Sequence, residues 1–202
     1  MKTLRTLLSF IICLVLFSCE KKTHETTISD NTEIKAFVTY FFVPGISLIV
    51  NRTEEFSLQN QAAQDLLSNT YICSSDSPCN NTKEYFLAFT PNFLFETADG
   101  QITVSGADPD AFVDIGDIKR KKVYRVRQTG TEGSIYGAVW TSDFSFVVYG
   151  VESDEAFVEL YDIKTKIKTS YTIDKAKRKR DVDPDSFLIA KYGKMESFQS
   201  QQ

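Results

Sequence analysis

Aspartates supply most of the side chains whose spacing in this chain suggests chemistry. Asp108-Pro109-Asp110 with Asp114 and Asp117 forms one group, and Asp181, Asp183 and Asp185 form a second. Paired carboxylates are the machinery of general acid–base work, and in glycoside hydrolysis two of them flank the bond that breaks. Acids at alternate positions also open calcium loops. The second group, however, has Ser186 where the loop glycine belongs and Tyr192 where the closing glutamate belongs. Asp-Pro-Asp, a small residue and Phe occur at both Asp108 and Asp183. A polar turn leading into a strand with a buried phenylalanine accounts for both without a ligand. We therefore expect these acids in turns, and expect no catalytic residue, no metal site and no cofactor.

The only histidine is His24. Ser-His-Asp and Cys-His arrangements and histidine metal sites are thereby excluded from the rest of the chain, unless the N-terminal segment folds back. No phosphate-cradling glycine loop is present. Two basic clusters stand out, Lys119-Arg120-Lys121-Lys122 and Lys175-Ala176-Lys177-Arg178-Lys179-Arg180. The cations of the second, Lys175, Lys177, Arg178, Lys179 and Arg180, suit anionic lipid head groups or an acidic partner. Both clusters fall between expected strands and beside aspartates, so a solvated turn is the simpler expectation. Aromatic side chains can stack on sugar faces, which makes Trp140, the single tryptophan, the candidate for a glycan ligand. With 16 Phe against 9 Tyr and 1 Trp, the aromatics suit a strand core better than a stacking platform.

The N-terminus carries an address. Lys2 and Arg5 precede an apolar run from about Leu7, which ends in Leu16-Phe17-Ser18-Cys19. A charged start, an apolar middle and a small residue before the cut make a secretory signal. The run falls short of the ~20 apolar residues that span a bilayer. Leu16 to Cys19 resembles the lipobox of bacterial lipoproteins, over residues 1–19 only. The resemblance implies removal of residues 1–18, acylation of Cys19, and attachment to a membrane of the cell envelope, the outer membrane, with its face left open. It implies no activity. Residues 19–33 then read as a tether, because Thr23 to Asn31 holds a single aliphatic, Ile28, and is too polar to order itself. With Cys13 in the signal and Cys19 acylated, Cys73 and Cys79 remain as a pair. Export favours a disulfide between them, contributing about 2 kcal/mol across so short a loop.

The whole chain of 202 residues carries 23 Lys plus Arg against 27 Asp plus Glu. Losing Lys2 and Arg5 with the signal leaves 21 against 27, a net charge of −6 on the remaining 184 residues. An acidic body argues against general nucleic-acid binding, which needs a cationic face. The length suffices for one domain with a core, expected over 34–193, followed by a frayed tail at 194–202.

These side chains must be positioned by short strands. Ile34 to Val43 alternates and is expected as a strand, with Pro44-Gly45 turning it into a partner at Ile46 to Val50. Asn60 to Asn69 is expected as the one helix, capped by Asn60, with Ala62/Leu66 and Ala63/Leu67 one turn apart. Strands follow at Glu84–Thr90, Phe93–Thr97, Gln101–Ser105 (across an Asp99-Gly100 hairpin dipeptide), Phe112–Ile115, Val123–Gln128, Ile135–Trp140, Phe144–Tyr149, Phe157–Tyr161 and Ile167–Ile173. Phe187 to Tyr192 reads as a last strand or a short helix. Phe112 to Lys119 matches Phe157 to Lys164 at a spacing of 45, and Leu94-Phe95 aligns with Val139-Trp140. That period resembles β-propeller blades, although two copies cannot close a propeller. The expected fold is mainly β, an antiparallel meander closed as a sandwich or small barrel, with two blade-like units and one short helix. The expected function is a non-catalytic binding or structural module with a protein or glycan ligand. The alternative is a carboxylate-dependent hydrolase of the envelope.

Overall fold

A computed structural model describes residues 28, 30–66, 72–74, 77–98, 101–106, 110–179 and 182–192. In order these form helix α1 (Thr32–Phe41) and strands β1 (Ile49–Glu55), β2 (Ala63–Asp65), β3 (Tyr85–Thr90), β4 (Phe93–Ala98), β5 (Gln101–Gly106), β6 (Ala111–Asp117), β7 (Lys122–Thr129) and β8 (Gly133–Trp140). Strands β9 (Ser145–Glu152), β10 (Glu155–Asp162) and β11 (Ile167–Thr172) follow, then helix α2 (Pro184–Tyr192). Short 3-10 turns cover Leu58–Asn60 and Lys175–Lys177. The strands lie in a five-stranded sheet of order β1-β11-β10-β9-β8, a four-stranded sheet of order β2-β7-β6-β3, and a β4–β5 hairpin. Every pairing is antiparallel. The fold is mainly β and sandwich-like, and the described strands do not close into a barrel.

Alternation along the central strands explains the layers, because successive side chains point to opposite faces. On one face of the five-stranded sheet, Ile135, Phe146, Val148 and Tyr161 meet Leu87, Ala111, Val113, Ile115 and Tyr124 of the four-stranded sheet. On the other, Tyr136, Val147, Tyr149, Val158 and Leu160 meet Phe37 and Phe41 of α1, Phe187 of α2 and Phe93 of the hairpin. The five-stranded sheet is therefore a middle layer, and β9 is buried throughout Ser145–Gly150. Both faces of β9 must be apolar for that, and Phe146-Val147-Val148-Tyr149 satisfies both.

The expected strand at Ile34 to Val43 is a helix. Asn31 caps it by accepting the N–H groups of Glu33 and Ile34 at 3.0 and 3.2 Å. Ile34, Phe37 and Phe41 then fall on one side and are buried, while Lys35, Ala36 and Thr39 are exposed. The β-branched and aromatic residues that suggested a strand form the apolar stripe of a short helix, and packing rather than propensity stabilises it. The expected partner at Ile46 to Val50 is displaced with it: β1 starts at Ile49 and pairs with β11, running Val50↔Tyr171 and Thr53↔Thr169. The body also begins earlier than a tether to residue 33 would allow, because Ile28 is buried in the core beneath α1.

The helix expected at Asn60–Asn69 is absent where described. Ala63, Gln64 and Asp65 form β2 against β7. The Ala62 and Ala63 side chains are exposed, so no apolar stripe is available to fix a helix there. Leu67 to Asn69 lie outside the described residues. Phe187 to Tyr192 belongs to α2, so the elements described include two α-helices, α1 and α2, where one is expected. Asp183 caps α2, accepting the N–H groups of Asp185 and Ser186 and the Ser186 hydroxyl, and Pro184 occupies the first helical position, where its missing N–H is harmless. The second Asp-Pro-Asp thus precedes a helix, not a strand.

The 45-residue match corresponds to two hairpins of the same register. Asp117 pairs with Lys122 at the end of β6–β7, and Asp162 with Ile167 at the end of β10–β11. In each turn the aspartate accepts backbone N–H groups, from Arg120 in the first and from Lys164 and Thr165 in the second. Lys121 and Lys166, also 45 apart, take φ of 55° and 59°. The shared string therefore encodes a common way of closing a hairpin.

Candidate functional site

Two polar clusters lie on opposite faces of the middle sheet. The first is built on Glu159 of β10, which faces the four-stranded sheet and is buried. Tyr161 Oη donates to its Oε2 at 2.7 Å, Lys168 Nζ lies 2.9 Å from Oε1, and Arg127 Nε lies 3.4 Å from Oε2. Arg127 also holds Glu152 at 2.6 Å, and Lys168 reaches Glu54 at 3.5 Å. Beneath the cations lie rings: the Arg127 guanidinium is 4.7 Å from the Phe157 centroid and the Lys168 amine 5.4 Å from that of Tyr161. A β-bulge makes this possible. Val113 pairs with Arg127 but Asp114 with Arg125, so β7 carries an extra residue at Val126. The extra residue reverses the alternation of β7, and Arg127 turns inward where an unbroken strand would turn it out. Burial pulls the Arg127 guanidinium down, but Glu159 and Glu152 outweigh it and the net shift is upward.

The second cluster joins both helices to β8 and β9. Lys191 of α2 meets Glu33 Oε2 at 2.7 Å, Tyr136 O at 3.2 Å, and the Tyr149 hydroxyl. Tyr149 Oη donates to Glu33 at 2.9 Å, and Tyr192 Oη to Tyr136 O at 2.7 Å. Burial lowers the Lys191 amine, although Glu33 acts to raise it. An amine, a phenol and a carboxylate in contact are a proton-transfer set, yet here each also anchors a helix. Gly137 on β8 leaves the room they need, because a Cβ there would strike Lys191 Nζ and come within 2.6 Å of Tyr149 Oη. Gly137→Ala is expected to expel the amine and lower stability by about 1–3 kcal/mol, the usual effect of overpacking. Urea unfolding of the variant checks this, and an unchanged midpoint would contradict the crowding.

Alkaline pH tests the burial of the phenols in both clusters. Burial pushes Tyr149, Tyr161 and Tyr192 well above 10.0, and Tyr136 up to about 12. In the unfolded chain they ionise near pH 10, so above that pH the folded state binds more protons and stability falls as pH rises. Each phenol contributes a slope of about 1.4 kcal/mol per pH unit until its own folded value is reached. Lys191 has the opposite sign, because a lowered amine adds stability as pH rises, but only up to its ordinary 10.5. The expected outcome is unfolding that sets in above pH 10, with a shallower slope in Tyr149→Phe. Stability that stays level through that range would show the phenols to be accessible.

No protein-family model, curated protein or solved structure matches this chain. The site therefore rests on its own geometry. Of the residues singled out from sequence, Cys19, His24, Asp108, Arg180 and Asp181 lie outside the described residues. Cys73 and Cys79 are disulfide-bonded, with Cα atoms 4.7 Å apart. Trp140 is half-buried. Its Nε1 donates to Pro78 O at 2.9 Å and its ring meets Phe146 edge-on, so it seats the disulfide loop on the sandwich.

The basic run from Lys175 is not gathered on one face by its described side chains. Arg178 donates to Asp154 O in the β9–β10 turn at 3.0 Å. Lys179 donates to Thr39 O at 2.7 Å, in the last turn of α1, where a cation complements the helix dipole. Lys177 is exposed, and Lys175 starts the 3-10 turn. In the other basic run, Arg120 pairs with Asp117 and Lys122 with Asp65. Asp114 pairs with Arg125 at 3.0 Å, and that guanidinium lies 3.6 Å from the Phe112 centroid. Beside them a shallow hollow of about 60 Å³ is lined by Ala62, Gln64, Asp114, Val123 and Arg125. Sequence reasoning missed Glu159, Arg127 and Lys191. The signal for Glu159 is an acid in the middle of an apolar strand, at a position whose neighbours on the same face, Phe157 and Tyr161, are aromatic.

Proposed function

We propose that this chain is a cell-envelope lipoprotein, held to the outer membrane through acylated Cys19, whose body is a non-catalytic binding or structural module for a protein or glycan ligand. One observation carries the non-catalytic part: the acids from which a hydrolase would be built are engaged elsewhere. Asp114 and Asp117 pair with arginines, Asp162 and Asp183 hold turn and helix N–H groups, and Glu159 is surrounded by Tyr161, Arg127 and Lys168. A carboxylate saturated with donors on its own fold is poorly placed to exchange protons with a substrate. On the face of the four-stranded sheet turned away from the middle sheet, Arg125 over Phe112 beside the small hollow supports ligand contact there. The two matching hairpins would be the cores of two blade-like units.

The anchor is tested on protein purified from its native envelope. Intact mass is expected to show a chain beginning at Cys19 and carrying lipid, and Cys19→Ala is expected to move the protein from the detergent phase to the aqueous one. An unmodified Cys19 would end this reading.

A further inference from the structure

Strand β1 is the outermost strand of the five-stranded sheet and, among the described residues, pairs with β11 alone. All of its residues except Glu54 are exposed. The other sheet edges are shorter or covered. β2 has three residues. At β3, Leu87 N–H donates to Pro78 O at 3.0 Å and Phe86 bridges to Cys79, so the disulfide loop lies along the edge. At β8, Gly133 O accepts from Asn92, and Tyr136 O from Lys191 and Tyr192 of α2.

The backbone of β1 offers its groups in a defined order. Phe56 N–H donates to Lys166 O at 2.8 Å, in the register that pairs Glu55 with Ile167 and Glu54 with Lys168. Antiparallel ladders alternate bonded and non-bonded pairs. Glu54 and Arg52 therefore bond inward to β11, while Thr53 and Glu55 turn their N–H and C=O outward. Such a row is a template for a further strand.

The side chains select which strand fits. Arg52 and Glu54 lie on one face of the sheet, 2.8 Å apart. Placed antiparallel about a two-fold axis at Thr53, a copy of the same strand sets Thr53 opposite itself, in the bonded position its outward amide requires. The same placement sets each Arg52 opposite a Glu54, twice over. Opposite charges facing across strands attract and like charges repel, so Arg-Thr-Glu is complementary to itself in this register. Ile49 and Val50, 60% and 44% exposed, add apolar surface to the same strand. We propose that a second copy of this chain pairs through β1, joining two five-stranded sheets into one continuous sheet of ten strands by a closed, two-fold interface. This pairing does not depend on the lipid anchor.

The test uses the full-length protein in detergent. Thr53→Cys is expected to give a covalent dimer on treatment with a short thiol cross-linker, well above the background of the unsubstituted chain, and Glu55→Cys is not. Arg52→Glu sets two carboxylates opposite two others and is expected to weaken dimerisation at least about tenfold in sedimentation equilibrium. The double exchange Arg52→Glu with Glu54→Arg is expected to restore it. Thr53→Pro removes only an outward N–H, so it is expected to abolish the dimer while leaving the melting temperature nearly unchanged. A protein that stays monomeric at its highest soluble concentration would overturn the proposal. So would a dimer insensitive to Arg52→Glu, a cross-link equally strong from Glu55→Cys, or an edge found occupied by a different protein.

Discussion

Phe37→Ala is expected to destabilise the protein by about 3–5 kcal/mol, a large share of what holds a domain of this size together. Phe37 is 0% exposed. Its ring lies 5.1 Å from those of Phe41 and Tyr149 and 6.0 Å from those of Tyr136 and Phe187, so it touches α1, β8, β9 and α2 together. A ten-residue helix has little stability of its own, and its contact with the sheet is what keeps it formed. Removing the ring leaves a cavity bordered on several sides by other rings, which cannot all collapse into it. Denaturant unfolding gives the value, with exposed Lys35→Ala expected to stay within about 0.5 kcal/mol. A loss below about 1 kcal/mol for Phe37→Ala would mean that α1 does not seal that face of the sheet.

Glu159→Gln is the other large effect, expected at about 3 kcal/mol, the lower end for breaking a buried ion pair. The substitution keeps shape and removes charge. Arg127 and Lys168, whose side chains are each 19% exposed, then lose the carboxylate they share, and the new amide N–H₂ faces donors. Arg127 retains Glu152 and Lys168 retains Glu54, which holds the loss below the upper end of the range. Replacing Glu159, Arg127 and Lys168 together by Leu, Met and Met is expected to recover most of that loss, because an apolar set avoids the desolvation of three charges. A triple variant less stable than Glu159→Gln alone would show the network to be a net source of stability.

The strands from Phe93 onward were legible because glycine, aspartate and serine separate runs that alternate cleanly. Phe146-Val147-Val148-Tyr149, apolar on both faces, could be read directly as buried. Ile34 to Val43 misled because its aromatic and β-branched residues favour strands, and the cap at Asn31 with the spacing of Ile34, Phe37 and Phe41 was the weaker local signal. At Asn60 to Asn69 the error was opposite: the alanine and leucine spacing suits a helix, but the alanines face solvent. The polar clusters were harder still. Glu33 and Lys191 are 158 positions apart, and nothing near either predicts the other. Arg127 turns inward only because β7 bulges at Val126, and a bulge leaves no periodic trace. The aspartate turns were visible because their partners sit two or three residues away, as at Asp183 and Asp162.

Whether these acids serve structure alone is tested most directly by turnover. Purified full-length protein, with its melting transition intact, would be assayed on panels of glycan, ester and peptide substrates, beside Asp114→Asn and Asp183→Asn. The expected result is no hydrolysis above the buffer rate by any of the three. Turnover by the unsubstituted protein that disappears in either amide variant, with its fold preserved, would contradict it.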